Sequence, residues 1–87
     1  ILFDMAFVDG DKRNYTEVYE KLLPIIRPGG YILADNTLWD WHVIDPAYDH
    51  DQQTIGIRRF NDFIAKDDRI EKVILPLRDG LTLIRKK

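Results

Sequence analysis

The sequence predicts an α/β fold with a mostly parallel sheet that an antiparallel hairpin closes at the carboxy-terminal end. Two observations support this prediction. Over residues 1–34 an apolar run, an amphipathic segment and a second apolar run follow one another, the pattern of a strand, a crossover helix and a parallel strand. Near the carboxy terminus two apolar runs are separated by Arg78-Asp79-Gly80, a turn sequence typical of a hairpin.

Length and composition limit the chain to one small domain. It has 87 residues, of which 45% are hydrophobic and 32% charged, and a formal net charge of −2. These values are typical of globular proteins, and basic residues form no cluster, so we expect no nucleic-acid partner. The absence of cysteine excludes disulfides and thiolate metal sites. No apolar run approaches the roughly 20 residues needed to span a bilayer, so we expect no membrane partner.

The first strand and the first helix follow from the apolar pattern. Ile1–Val8 is almost continuously apolar, as in a strand buried on both faces. Because the chain begins inside this run without an initiator Met, we interpret it as the carboxy-terminal part of a longer protein. Asn14 is the predicted N-cap of the helix, and Glu17 completes a capping box. The helix then presents an apolar face made of Tyr15, Val18, Tyr19, Leu22, Leu23 and Ile26.

Turn signals and one long loop separate the remaining elements. Arg27-Pro28-Gly29-Gly30 is predicted to end the first helix, and Tyr31–Ala34 forms the second strand. Residues 36–53 show no clear period and are rich in aromatic side chains, and a loop of this length is usually functional or disordered. The last predicted elements are a helix from Thr54 to about Lys66 and strands over Ile70–Leu77 and Leu81–Arg85.

Polar side chains follow both strands of the strand–helix–strand unit. Asp9 and Asp11 come after the first strand, and Asp35 and Asn36 come after the second. The carboxyl ends of neighbouring parallel strands meet at the crevice where ligands bind, so we expect Asp9, Asp35 and Asn36 to lie together. Their hard oxygen atoms suit a Mg²⁺-like or Ca²⁺-like ion. The sequence therefore predicts a metal site, although each cluster alone is also an ordinary turn.

Further candidate residues lie close to these clusters. Lys12 could act as a general base beside a bound cation, or it could be a solvated surface lysine that pairs with Asp11. The tryptophans Trp39 and Trp41 either form a wall for a flat aromatic ligand or pack the long loop onto the domain. Arg58-Arg59 could meet an anionic substrate tail, although exposed helix charges are the commoner explanation.

The segments FVDGDKRNY and YILADNTLWD resemble the cation-dependent O-methyltransferases that use S-adenosylmethionine, the caffeoyl-CoA and catechol O-methyltransferase group. The family pattern of V-D-x-D-K-x-x-Y, a helix ending in P-G-G, a strand ending in D-N-T-L-W and a closing L-P-x-x-D-G is present throughout. The resemblance implies that residues 1–87 are the carboxy-terminal part of a single methyltransferase domain. This part would be the carboxy-terminal half of a Rossmann-like fold, with the amino-terminal cofactor-binding half upstream.

The same resemblance implies an activity and a role for each matching position. The activity is methyl transfer from S-adenosylmethionine to a hydroxyl of a catechol-like phenol. We expect the full-length protein to be a cytoplasmic homodimer and this fragment alone to be inactive. The divalent cation would be Mg²⁺ first, with Ca²⁺ or Mn²⁺ as alternatives. The implied roles are metal binding by Asp9, Asp35 and Asn36, a cofactor contact by Asp11 and general base for Lys12. Asp9 is a second candidate for cofactor contact. Trp39, from the aromatic loop, and Asp40, which stands where plant enzymes have Asn, are the candidates for substrate contact.

Two other functions remain open at this point. A strand followed by Asp-x-Asp also opens the haloacid-dehalogenase-like phosphatases, in which Asp9 would be the nucleophile and Asp11 the acid/base. Here Lys12 follows where that group usually has a small hydroxyl residue. The other alternative is a non-catalytic half-domain that serves in assembly. A Gly-rich loop upstream of this chain would favour the transferase over both.

Overall fold

The computed structural model describes all 87 residues as a four-stranded sheet with two helices packed on one face. Its elements in chain order are β1 (Phe3–Val8), α1 (Tyr15–Leu22), β2 (Ile26–Asp35), α2 (Gln52–Ala65), β3 (Ile70–Leu75) and β4 (Leu81–Lys86). The strand order is β1-β2-β4-β3, in which β1 and β2 are parallel and the other two pairs are antiparallel. The α/β class and the closing hairpin are confirmed, and parallel pairing within these residues is confined to β1 and β2. Neither helix is long and apolar enough to cross a membrane.

The hydrophobic core lies between the sheet and the two helices. Phe60 of α2 is fully buried and meets the rings of Tyr15 and Tyr19 edge-on, at centroid distances of 5.5 and 5.8 Å. Ile32 and Ile84 close the core from the sheet side. Side chains alternate between the two faces of a strand, so β2 and β4 bury alternate residues on this face, whereas β3 contributes only Ile70 to the core.

The opposite face of the sheet is apolar and exposed. Phe3, Met5 and Phe7 of β1 are each more than half exposed, and Met5 pairs across the ladder with the exposed Tyr31. The prediction that β1 is buried on both faces is therefore wrong for this chain. The reason is that both helices pack on the other face, and no residue among the 87 covers this one.

The start of α1 differs from the predicted capping box. A 3₁₀ turn over Lys12–Asn14 precedes the helix, and its N-cap is Asp11, whose Oδ1 accepts a hydrogen bond from Arg13 N at 3.0 Å. Asn14 makes no side-chain cap hydrogen bond, and Glu17 pairs with Arg59 of α2 instead. The capping prediction is wrong because the extra turn moves the first unpaired amides three residues upstream.

Strand β2 begins earlier than predicted. The helix gives way to a 3₁₀ turn over Leu23–Ile25, and the segment predicted to end the helix lies inside β2. The β1–β2 register shifts between Phe3 and Met5, which pair with Ile26 and Tyr31, so the extra residues form a bulge. Helix α2 also begins earlier, at Gln52, because Asp51 caps it through Thr54 N at 2.9 Å.

Candidate functional site

The parallel pairing of β1 and β2 places Asp9 and Asp35 side by side. Val8 pairs with Ala34, so the two acidic residues follow on adjacent strands, which lie about 4.8 Å apart in a sheet. The pKa of Tyr15 is raised above its ordinary value, first by burial and then by the charges of Asp9 and Asp35. Both carboxylates therefore lie close to the same phenol, and the structure brings them together at one edge of the sheet.

The three predicted ligands each keep one side-chain oxygen that accepts no hydrogen bond. Asp9 Oδ1 accepts from Gly10 N, and Asp35 Oδ1 accepts from Asn36 N, both at 2.8 Å. The Asn36 amide nitrogen donates to Asp79 Oδ2 at 3.2 Å, which leaves its oxygen free. The second oxygen of Asp9 and the Asn36 Oδ1 are thus available to a ligand, and Asp35 Oδ2 has only a long ion-pair contact with the exposed Arg78, at 3.9 Å from Nη2.

This donor set fits a hard divalent cation. The chain has no cluster of three His, Cys, Asp or Glu side chains that could hold a metal ion. The donors available at this site are two carboxylates and one amide. Mg²⁺ is commonly bound through one or two carboxylates and completes its coordination with water or substrate oxygens. The residues therefore match the chemistry that the sequence predicts for Asp9, Asp35 and Asn36.

Lys12 is buried at the centre of the site rather than solvated at its surface. It is 4% exposed, and its Nζ donates a hydrogen bond to Gly10 O at 2.7 Å and lies 3.5 Å from Asp9 Oδ1. The rings of Tyr15 and Trp39 cover the ammonium group, with centroids 4.9 and 5.2 Å from Nζ. Both distances lie within the range of a cation–π contact.

Asp11 is occupied by structural contacts. Its Oδ2 lies 2.5 Å from Arg13 Nη2, and its Oδ1 accepts a hydrogen bond from Gln53 Nε2 at 3.0 Å. The hydrogen bonds from the Arg13 side chain, followed by that from the Arg13 backbone, hold the pKa of this carboxyl well below its usual value. The alternative in which Asp11 pairs with Lys12 is therefore wrong, while its contact with the cofactor stays a prediction.

The long loop begins with a strained segment. Trp39, Asp40 and Trp41 have φ values of 50°, 52° and 63°, the left-handed region that non-glycine residues rarely adopt. Each such residue costs roughly 1–3 kcal/mol, and strain of this kind concentrates at functional sites. Trp39 is half-buried and packs against the core, whereas Asp40 and Trp41 are exposed. A substrate contact through Trp39 or Asp40 stays a prediction.

Arg58 of α2 holds the rest of this loop in place. Its Nε donates to Val43 O at 2.9 Å, its Nη2 donates to the carbonyls of His42 and Asp45 at 3.1 Å each, and its Nη1 pairs with Asp49 at 2.9 Å. Arg59 is paired with Glu17 across the two helices. Both guanidinium groups are thus engaged within the chain, which argues against the hypothesis of an anionic substrate tail here.

Two residues at the site were not singled out from the sequence. Tyr15, assigned only to an apolar helix face, donates its hydroxyl to Asp35 O at 2.8 Å and lies 3.4 Å from Val8 O, so it braces both strand ends. Gly56 lets α2 lie against the Lys12 turn, because a Cβ at this position would be 2.5 Å from Lys12 O. The one sequence signal for Tyr15 is a tyrosine on a helix face that is predicted to be buried, because a buried tyrosine hydroxyl usually needs a hydrogen-bond partner.

The cavities of the structure do not enclose an acceptor. A cleft of about 160 Å³ at the strand ends is lined by Asp35 and Arg78, among others, and is smaller than the roughly 300–1,000 Å³ of ligand pockets. The largest cavity, about 510 Å³, lies beside α2 and is lined mainly by charged side chains. One of these, Asp67, is bound by Tyr19 and Arg69 at 2.6–2.9 Å and has a structural role.

Comparisons with known proteins agree on one family. A family model described as O-methyltransferase matches residues 1–87. The chain is 46% identical over 91 residues to Caffeoyl-CoA O-methyltransferase 2 of Zea mays, which covers 97% of this chain and 34% of that protein. It spans about a third of the length of the curated relatives that it matches.

Solved structures show the same relationship. The O-methyltransferase from Bacillus cereus in complex with SAH has a TM-score of 0.89 and 34% identity, over 99% of this chain and 41% of that one. The O-methyltransferase TomG from Streptomyces achromogenes in complex with SAM has a TM-score of 0.88 and 32% identity, over 99% of this chain and 40% of that one.

Proposed function

Since the chain belongs to the O-methyltransferase family, we propose that the intact protein transfers the methyl group of S-adenosylmethionine to a hydroxyl of a catechol-like phenol. We further propose that a divalent cation held by Asp9, Asp35 and Asn36 is required. The single observation that carries the cation is the β1–β2 register, which sets two carboxylates side by side next to an amide. A cation bound there would supply positive charge and polarise an acceptor that offers two adjacent oxygens.

The cofactor proposal rests on the solved relatives. The proteins from Bacillus cereus and Streptomyces achromogenes were solved with SAH and SAM. Because this chain covers about two fifths of each of them, we propose that most cofactor contacts come from residues outside the 87. Asp9 and Asp11, at the end of β1, are the residues of this chain proposed to reach the cofactor.

Within this chain, Lys12 is proposed to act as the general base that accepts the hydroxyl proton of the methyl acceptor. Bound S-adenosylmethionine would supply the methyl group to the phenol oxygen, and Lys12 Nζ, once it has given up its own extra proton and is an uncharged amine, would accept the hydroxyl proton. The cover of Tyr15 and Trp39 over this nitrogen keeps bulk water away from it. Tyr15 also fixes the strand ends that carry the acidic residues, through its hydrogen bond to Asp35 O.

The phosphatase alternative loses its support. The family model that matches the whole chain is an O-methyltransferase, and Asp11, which would be the acid/base, is held by Arg13 and Gln53. An assembly role without catalysis predicts that the intact protein transfers no methyl group to any acceptor.

The proposed function is tested by a methyl-transfer assay on the intact protein with labelled S-adenosylmethionine. A panel of catechols and matched monophenols is offered with Mg²⁺, with excess EDTA, and with Mg²⁺ restored after chelation. We expect transfer to catechols that is lost with EDTA and recovered with Mg²⁺. Full activity in excess EDTA would exclude the cation, and equal activity on monophenols would exclude the catechol-like acceptor.

Trp39 is proposed to form one wall of the acceptor pocket, with its indole against the aromatic ring of the substrate. Because such a contact is mainly apolar and exists before and during the reaction, Trp39→Ala should raise KM more than it lowers kcat. The measurement is steady-state kinetics for several phenols, with the melting temperature taken on the same preparation.

The neighbouring Trp41 provides a matched control. It is 54% exposed and makes no aromatic contact, so Trp41→Ala should leave KM near the wild-type value. The rival explanation is that Trp39 only packs the loop onto the core, which it does contact. In that case Trp39→Ala would lower the melting temperature and leave KM unchanged for every phenol.

A further inference from the structure

We propose that Asp79, in the turn between β3 and β4, is a positioning residue that orients the Asn36 amide so that its oxygen faces the bound cation. The inference rests on the proposed cation site and adds a residue that the proposal above does not use. The turn was predicted only as a hairpin connection. In the structure it is the one segment that contacts the start of the long loop through both its backbone and its side chain.

The turn is docked on residues 37–39 by three backbone hydrogen bonds. Leu38 N and Trp39 N both donate to Asp79 O, at 2.7 and 3.1 Å, and Thr37 N donates to Gly80 O at 3.3 Å. Gly80 has a φ of 87°, and a Cβ there would lie 2.6 Å from the Leu38 side chain. The close approach of the turn to Leu38 therefore requires glycine at position 80. The docked turn holds the Asp79 carboxylate beside Asn36.

The side-chain contact determines which end of the amide is free. An amide offers a donating nitrogen and an accepting oxygen, whereas an ionised carboxylate only accepts. The 3.2 Å contact between Asn36 Nδ2 and Asp79 Oδ2 therefore fixes the nitrogen against Asp79 and leaves the oxygen for a ligand. Rotated by half a turn, the amide would present N–H groups to a cation, and binding would be opposed.

The contact also matches what is known of metal sites in general. Groups that hydrogen-bond to a metal ligand orient it, and their loss typically costs 10–100-fold in metal affinity or activity. Asp79 differs from an ordinary turn aspartate because its carboxylate bonds to a residue 43 positions away rather than to its own turn. A turn-forming role alone would not require that bond.

The test measures cation binding in the absence of cofactor and acceptor. Mn²⁺ shares the oxygen preference of Mg²⁺, and the free ion can be counted by electron paramagnetic resonance in a titration of the intact protein. We expect Asp79→Ala to weaken Mn²⁺ binding about 10–100-fold. Asp79→Asn, which keeps an accepting oxygen, should recover most of the affinity. Asp68→Ala, which removes an exposed turn carboxylate elsewhere, is the control and should leave affinity unchanged.

A double-mutant cycle separates positioning from general stability. If Asp79 acts through Asn36, then Asp79→Ala should cause no further loss of Mn²⁺ affinity in an Asn36→Ala background. An equal further loss there, or wild-type Mn²⁺ affinity in a folded Asp79→Ala protein, would overturn the proposal. A wild-type protein that binds no Mn²⁺ would instead reject the cation site itself, and this inference with it. Melting temperatures of all variants identify any that fail to fold.

Discussion

Replacement of Asp35 by Ala should abolish cation-dependent methyl transfer by the intact protein while its fold is retained. The substitution removes one of the two carboxylates that the β1–β2 register sets side by side, so the remaining donors are a single carboxylate and an amide. Strand β2 pairs with β1 on one side and β4 on the other, and those ladders do not use the Asp35 side chain. The expected result is turnover no higher than that of wild-type protein in excess EDTA.

Asp35→Asn sharpens this experiment. The amide has nearly the same size as the carboxylate and can still accept the hydrogen bond from Asn36 N, which spans 2.8 Å in the structure. It lacks the charge, so turnover should fall nearly as far as with Ala while the melting temperature stays close to that of the wild type. Asp62→Ala, on the exposed side of α2, controls for loss of one surface charge. Wild-type turnover in Asp35→Ala that EDTA still abolishes would place the cation elsewhere.

Replacement of Lys12 by Ala should lower kcat by roughly 10²–10⁴-fold, the span usual for loss of a general base, with little change in cofactor affinity. The physical reason is that Lys12 Nζ is held beside Asp9 and Gly10 and is shielded from solvent by two aromatic rings. The measurement is single-turnover methyl transfer across a range of pH, together with the dissociation constant for S-adenosylmethionine.

Because Lys12 is buried, its removal also leaves a cavity, and Lys12→Met is the variant that separates the two effects. Methionine keeps an unbranched stem against Tyr15 and Trp39 but has no proton-accepting nitrogen. If the nitrogen matters, Met and Ala should both lose kcat to a similar degree. Restoration of kcat by Met would show that Lys12 only fills space, and wild-type kcat in Ala at every pH would remove it from the mechanism.

The sequence allowed the candidate site to be predicted because the features that bring its residues together are local. Strand ends can be read from apolar runs, and the parallel crossover follows from the intervening helix, so the adjacency of Asp9 and Asp35 could be predicted. The same local signals failed at Asn14, where a 3₁₀ turn shifted the cap, and at Gly29-Gly30, where a bulge extended the strand instead of ending the helix.

The environment of Lys12 and the role of Asp79 could not be predicted in this way, because both depend on contacts distant in sequence. Lys12 is buried by Trp39 from the long loop, and its turn lies against α2 only because residue 56 is glycine. Asp79 reaches Asn36 only after β4 has paired with β2. Hydrophobic periodicity describes which face of an element is buried, and it carries no information on which residues meet across elements.

The docking of the β3–β4 turn on residues 37–39 links ligand binding to the folding equilibrium. The proposed donors come from the ends of two different strands, β1 and β2, so an unfolded chain offers a cation no comparable site. A ligand that binds only the folded state at 100 times its dissociation constant adds about 2.7 kcal/mol to the free energy of unfolding. The amides of Thr37 and Leu38 donate only to this turn, so they open to solvent exchange together when the turn detaches, whereas Trp39 N also donates to Asn36 O at 3.0 Å. The protection of the Thr37 and Leu38 amides therefore measures how much of the time the turn that carries Asp79 is docked beside Asn36.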